Sequence, residues 1–260
     1  MAEKFALIGS GNVAWHMGRA LENAGHSLVH VYDRKIDQAK NFTADYYNAE
    51  YGNATDMRDV NASVFIMAVT DHAIEPLSQQ LQLPEGALLC HTSGTTSLSA
   101  LGYAETPYRG VFYPLQTFTQ GVPVDFRTAP ICIEAEDKAS LKVLKAMGQS
   151  ISGEVVEMSG EQRKILHLAA VFACNFTNHM LTISKVVLRE KGLSFDLLKP
   201  LITETLNKSL QNEPENSQTG PAVRGDLKTL DKQLKALEKD KDVALIYQYI
   251  SQHIIDTHSD

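Results

Sequence analysis

Residues Gly9-Ser10-Gly11-Asn12-Val13-Ala14 follow the apolar run Phe5-Ala6-Leu7-Ile8 and open an amphipathic helical pattern. This G-x-G-x-x-A spacing suits the reception of phosphate. Gly9 permits a tight strand-to-helix turn, and Gly11 lets the backbone approach a pyrophosphate with no Cβ in the way. Ala14 lets the helix pack closely on the strand. The N–H groups at the helix start, around Ser10, Asn12 and Val13, then face the phosphate charge. A second strand ends in Tyr32-Asp33-Arg34, which brings an acid to roughly 20 residues past the turn, where a ribose contact belongs. Asp33 suits the ribose hydroxyls of NAD, and Arg34 offers a planar fork to the 2′-phosphate of NADP. A dinucleotide is expected, NADP first and NAD as the alternative.

Two further turns sit at predicted strand C-termini, where open α/β sheets bind ligands. Val69 and Thr70 belong to one, Ala68-Val69-Thr70-Asp71-His72, although Thr70 and Asp71 equally suit helix capping. His91 and Ser93 belong to the other, His91-Thr92-Ser93-Gly94-Thr95. Ser93 is a candidate cofactor contact. His91 is a candidate acid/base beside a nicotinamide, with a turn role equally open. Further along, His167, Cys174 and Asn178 fall within about 20° of one line at 100° per residue, with Asn175 to the side. Polar groups on an apolar helix must satisfy one another or face a cleft, so His167, Asn175 and Asn178 are candidate catalytic residues. Lys164, Gln218 and Arg224 are candidate substrate contacts, Arg224 as a bidentate anion clamp. No metal site is expected, because no His, Cys or carboxylate follows His167 at i+3 or i+4.

The elements that position these groups show two rhythms. Up to about Met158, short apolar runs alternate with helical stretches: 5–8, 27–32, 63–69, 87–91, 110–113, 129–134 and 153–158. Several lack in/out alternation, as in parallel strands covered on both faces. The rhythm predicts an α/β fold, a doubly wound Rossmann sheet followed by an all-helical C-terminal domain, with the boundary near 153 (1–153 and 154–260). The second rhythm is helical: one helix over 161–191 ended by Gly192, then helices at about 195–210, 226–239 and 241–257. Ser194 and Asp226 are the expected caps, and Pro200 is expected to kink or restart its helix. The 211–226 segment, rich in Pro and Gly, is expected to be an ordered loop.

Composition narrows the partners. Of the 260 residues, 43% are hydrophobic and 21% charged, and the net charge is −7. No Lys/Arg block forms the basic footprint that nucleic acid needs. No apolar run reaches ~18 residues, so no membrane span is expected. The N-terminus enters a strand directly, which leaves no room for a signal peptide. Cys90, Cys132 and Cys174 lie far apart in apolar stretches and are expected as buried, reduced thiols. A cytoplasmic location follows as the expectation.

Taken together, the runs 7–17, 68–74, 91–95, 113–118 (Tyr-Pro-Leu-Gln-Thr-Phe), 167–180 and 218–226 resemble an uncharacterised family. That family joins an NADP-oxidoreductase-type Rossmann domain to a C-terminal helical domain of unknown function, and is related to pyrroline-5-carboxylate reductase and the β-hydroxyacid dehydrogenases. The resemblance covers essentially the whole chain. It implies NADP binding, a cleft between domains and a homodimer formed through the helical half. In the β-hydroxyacid dehydrogenases the first long helix of the second domain offers a Lys and an Asn to substrate. Here that helix offers His167, Asn175 and Asn178, with Lys164 one turn earlier, and the proton donor stands open between His167 and Lys164. The family pattern has His before Pro-Leu where this chain has Tyr113. The expected activity is hydride transfer between a nicotinamide and a small carbonyl, imine or hydroxy compound. A dinucleotide-binding sensor without catalysis is the alternative.

Overall fold

The computed structural model describes residues 2–258. It divides into two compact units, one ending at Val171 and the other beginning at Phe172. The boundary expected near 153 lies ahead of this division, because β8 and α5 belong with the first unit.

In the first unit the elements run β1 (Lys4–Ile8), α1 (Asn12–Asn23), β2 (Ser27–Tyr32), α2 (Ile36–Thr43), β3 (Glu50–Gly52), β4 (Val64–Met67) and α3 (Asp71–Ser78). They continue with β5 (Leu88–His91), β6 (Arg109–Pro114), β7 (Ile131–Ala135), α4 (Lys138–Ile151), β8 (Val155–Glu157) and α5 (Gly160–Ala170). Among the described residues the strands form one sheet in the order β3-β2-β1-β4-β5-β6-β7-β8. The chain winds outward from β1 to β3, then returns to β4 on the other side of β1. That reversal, with Ile8 beside Met67, is the switch point at which such sheets bind ligands.

The apolar runs become central strands because both faces are covered. Phe5 and Leu7 join Met17 and Leu21 of α1 on one face. Ala6 and Ile8 join Phe65, Met67 and Ile74 on the other, the two-residue alternation of a pleated strand. β3 lies outside the predicted strands: it is three residues of an edge, with Glu50 and Tyr51 exposed and no apolar run to mark it.

The expectation of an all-parallel sheet needs correction at one pair, since β6 and β7 are antiparallel. A parallel neighbour needs a crossover, usually a helix. The segment 115–130 holds only a short 3-10 turn, Phe126–Thr128, so the chain returns in the opposite sense.

Helices make up the second unit: α6 (Thr177–Arg189), α7 (Lys199–Gln211), α8 (Pro214–Ser217), α9 (Leu227–Ala236) and α10 (Lys241–His258). Gly192 ends α6 as expected, at φ 68°, with Leu193 N donating to Leu188 O. Asp226 caps α9 by accepting from Thr229 N, and Pro200 stands in the first turn of α7, restarting the helix. Ser194 caps the short turn Phe195–Leu198. The 211–226 loop contains α8.

The helix expected over 161–191 is instead α5, a π-helical stretch Val171–Phe176, and α6. A π turn closes i→i+5 bonds and is wider than an α turn. The 100° projection that lined up His167, Cys174 and Asn178 therefore fails across it. The expected burial of this region is also corrected: no residue of α6 is buried, Phe172 is 62% exposed, and Cys174 is exposed. Cys90 and Cys132 are buried as expected. Apolar composition sets a preference for cover, and in the single chain Leu181, Ile183 and Leu188 of α6 are only half-buried.

Candidate active site

The glycine turn at the end of β1 is sterically obligatory. Gly9 has φ 105°, and a Cβ there would meet Ala68 O at 2.5 Å. A Cβ on Gly11 would meet nothing within 4 Å, so that position faces open space. Gly11 is the N-cap of α1, with no side chain capping the helix and no acid in its first turn. The first N–H groups of α1 therefore keep their partial positive charge for an anion.

Beside this turn lies a cleft of 810 Å³, lined by Gly9, Ser10, Gly11, Asp33, Arg34, Val69 and Thr70 among others. The fold thus gathers seven of the predicted cofactor residues. Of the other three, Asn12 and Val13 stand in the first turn of α1, with Asn12 Nδ2 donating to Phe118 O and the Val13 side chain packed on the core, and Ser93 orders the β5 turn. The cleft also takes in Gln38 and Asn41 of α2 and His72 and Gln80, which carry no fingerprint in sequence.

Asp33 does not stand free as a ribose acceptor. Its Oδ2 accepts from Ser10 N and Ser10 Oγ, at 3.2 and 2.6 Å, and its Oδ1 accepts from Lys35 N at 2.9 Å. Three donors occupy this carboxylate, while Arg34 stays exposed on the cleft wall. A phosphorylated ribose fits such a wall, since the anion meets a guanidinium and a carboxylate already committed to its own loop.

At the next strand end, His91 is fully buried. Its Nδ1 accepts from Ser93 N, and Ser93 Oγ accepts from Thr95 N and Thr96 N, so both residues serve the turn. Burial, with nearby Arg163 adding to it, pushes the His91 imidazole down to about 4. The reading of His91 as an acid/base near neutral pH is therefore corrected to a turn role. Thr70 makes no capping bond, and Asp71 instead accepts from Thr95 Oγ1, tying the β4 and β5 turns together.

A pH dependence follows from His91. Unfolded, it titrates near 6.5 and takes up a proton that the folded protein refuses until about pH 4. Stability is therefore fully present above pH 6.5 and is lost as the pH falls through this window, by about 3 kcal/mol. His26 and His30, also lowered by burial, act in the same sense. Urea unfolding at pH 7 and pH 4.5 should show His91→Gln losing about 2 kcal/mol less than wild type; equal losses would contradict the assignment.

α5 brings the remaining first-unit candidates. Ser159 and Gln162 form a capping box that fixes its start. Arg163 is 1% exposed, pairs with Glu134 of β7 and donates to Thr96 O at 2.6 Å. One turn on, the half-buried His167 meets the Tyr113 hydroxyl, Nδ1 to O 3.0 Å. Sequence reading gave Tyr113 no role; an aromatic in a strand carries no signal of where its hydroxyl ends. Lys164 pairs with Glu161 on the helix surface. In the second unit Asn175, Asn178, Gln218 and Arg224 are all exposed.

A glycine turn opening on a cleft at the switch point of a doubly wound sheet defines a Rossmann-type dinucleotide-binding domain. Comparison with known proteins agrees. Residues 4–93 match the model described as NADP oxidoreductase, coenzyme F420-dependent, and residues 129–254 match a domain of unknown function, DUF2520. BF3122 of Bacteroides fragilis, a candidate NADP oxidoreductase, is 37% identical over 98% of both chains, with a TM-score of 0.89. TM1727 of Thermotoga maritima is 23% identical over 98% of this chain and all of its own, TM-score 0.81. A reductive aminase of Aspergillus terreus, solved with NADPH and ethyl-5-oxohexanoate, shares the fold at 14% identity, TM-score 0.70, over 99% and 95% of the chains. A search of curated proteins gives no match. The chain belongs to the family that joins an NADP oxidoreductase domain to DUF2520. Among the described residues no helix is long and apolar enough to cross a membrane.

Proposed function

We propose that the protein is an NADP(H)-dependent reductase or dehydrogenase acting on a small carbonyl, imine or hydroxy compound. The observation that carries this reading is the Gly9–Gly11 turn opening onto the cleft with Arg34 on its wall. When bound, the nicotinamide supplies or receives the hydride. The chain's own residues bind and orient. First-turn N–H groups of α1 and the open Gly11 hold the pyrophosphate, and Arg34 holds the 2′-phosphate. His167 holds the proton that accompanies the hydride. Lys164 holds an anionic part of the substrate, and Asn175, Asn178, Gln218 and Arg224 are the second unit's own candidate substrate contacts. In this reading the unit that begins at Phe172 carries substrate contacts and the dimer surface, and the enzyme works in the cytoplasm.

Arg34→Ala should weaken NADPH about 10- to 100-fold, as the loss of a charge-assisted bond implies, and leave NADH nearly unchanged. Equal losses for the two cofactors would assign the cleft to NAD. The activity is tested by NADPH oxidation with a panel of small aldehydes, ketones and cyclic imines. Binding without oxidation across the panel would favour a sensor.

A homodimer through the helical half is part of the same proposal. Leu201 at 63%, Leu210 at 85% and Tyr249 at 74% exposure leave apolar surface that a symmetric partner would bury. Sedimentation should give a dimer; a 28.7 kDa species at all concentrations would remove this part.

A further inference from the structure

Three elements converge at His167. Tyr113 comes from β6, where it is 9% exposed among Leu98, Leu115, Met158 and Leu166. His167 comes from α5, one turn beyond the buried Arg163 that pins this helix to Glu134 and Thr96. Gly94 comes from the turn after β5, and a Cβ there would lie 2.6 Å from His167 Nδ1 and 2.9 Å from Tyr113 Cζ. No side chain fits at position 94 while the tyrosine and histidine keep their contact.

We propose that Tyr113 is a positioning residue for the reaction: its hydroxyl oxygen accepts from His167 Nδ1–H and holds that hydrogen in place, which leaves Nε2 to give and retake the proton that serves the substrate. The proposal rests on the reading of His167 as the proton-holding group. The direction of the bond follows from the reaction. Burial pushes the Tyr113 phenol up to about 12, so it keeps its proton and its oxygen remains a neutral acceptor. A ring that gives and retakes a proton at Nε2 carries a hydrogen on Nδ1 in both its charged and its neutral form, so Nδ1–H donates and the Tyr113 oxygen accepts. Nε2 itself makes no hydrogen bond among the described residues and is left for a ligand.

The same hydroxyl suits the charged imidazole, because a phenol oxygen accepts as well as donates. When the imidazolium gives its Nε2 proton to a substrate oxygen or nitrogen as hydride reaches the adjacent carbon, the Nδ1 hydrogen stays. It remains donated to the Tyr113 oxygen, and solvent returns the lost proton. Tyr113 gains and loses no net proton.

Nitrogen NMR of the full-length protein tests this without a substrate, with His167 assigned through the signals lost in His167→Gln. The wild type should show the Nδ1–H tautomer at a pH where the ring is neutral. Tyr113→Phe should move His167 toward an Nε2–H mixture, and Gly94→Ala, which keeps the hydroxyl but displaces the contact, should do the same. A wild-type Nε2–H tautomer overturns the proposal by itself, as does an unchanged tautomer in folded Tyr113→Phe. On any panel compound that the wild type reduces, Tyr113→Phe should lower kcat at least about tenfold with KM for NADPH unchanged. A raised KM with kcat intact would overturn the positioning role. If the wild type reduces no panel compound, the reading of His167 as donor falls, while the tautomer result still decides what Tyr113 does.

Discussion

Gly11→Val should fold normally and bind NADPH at least about 100-fold more weakly, whereas Gly9→Val should fail to fold stably. The two glycines stand in one fingerprint and do different work. At Gly9 the backbone is left-handed and any Cβ collides with the Ala68 carbonyl. The substitution therefore adds strain of about 1–3 kcal/mol to a backbone clash between β1 and β4. At Gly11 the built Cβ meets nothing, so the apoprotein tolerates a branched side chain. That side chain fills the space through which the pyrophosphate must approach the α1 N-terminus, and a loss of about 3 kcal/mol is about 100-fold in affinity. Melting curves and calorimetric titration on the two variants separate the effects. Equal destabilisation by both substitutions would mean that Gly11 is structural, and unchanged affinity in Gly11→Val would move the pyrophosphate elsewhere.

Glu134→Ala should cost about 3–5 kcal/mol of folding stability, the range for removing one partner of a buried pair. Arg163 is the larger stake, at 1% side-chain exposure against 23% for Glu134. Without Glu134 its charge stays inside with only Thr96 O to meet it. Gly160 N, which donates to Glu134 Oε1 at 3.2 Å, loses its acceptor at the start of α5 as well. The exposed Lys199–Asp196 pair is the contrast: Asp196→Ala should cost about 0–1 kcal/mol. Urea unfolding of both variants measures the difference. A Glu134→Ala loss no greater than that of Asp196→Ala would show that α5 is held by something other than this pair.

How much of this was legible in the chain depends on the kind of interaction involved. The strands that carry the glycine turn were plain, because a strand covered on both faces must be apolar throughout and Phe5 to Ile8 are. β3 escaped because an exposed three-residue edge buries little and so selects no pattern. The antiparallel β7 was hidden because strand composition records burial, while direction depends on whether a crossover helix intervenes. The π turn at Val171–Phe176 shifted the phase of the polar residues beyond it, and no residue type there announces it. His91 looked like a site residue because its position at a strand end was readable and its depth was not. Tyr113 was missed for the opposite reason: its position gave no chemical signal, and only the fold brings its hydroxyl to His167 from a distant strand.

Calorimetric titration of the wild-type protein with NADPH and NADH tests the account most directly. NADPH should bind with a Kd on the order of micromolar, in the range of ordinary substrate and cofactor affinities, and more tightly than NADH. Absence of binding by both cofactors to folded protein would contradict the cleft at Gly9, Gly11 and Arg34 as a dinucleotide site, and with it the proposed activity.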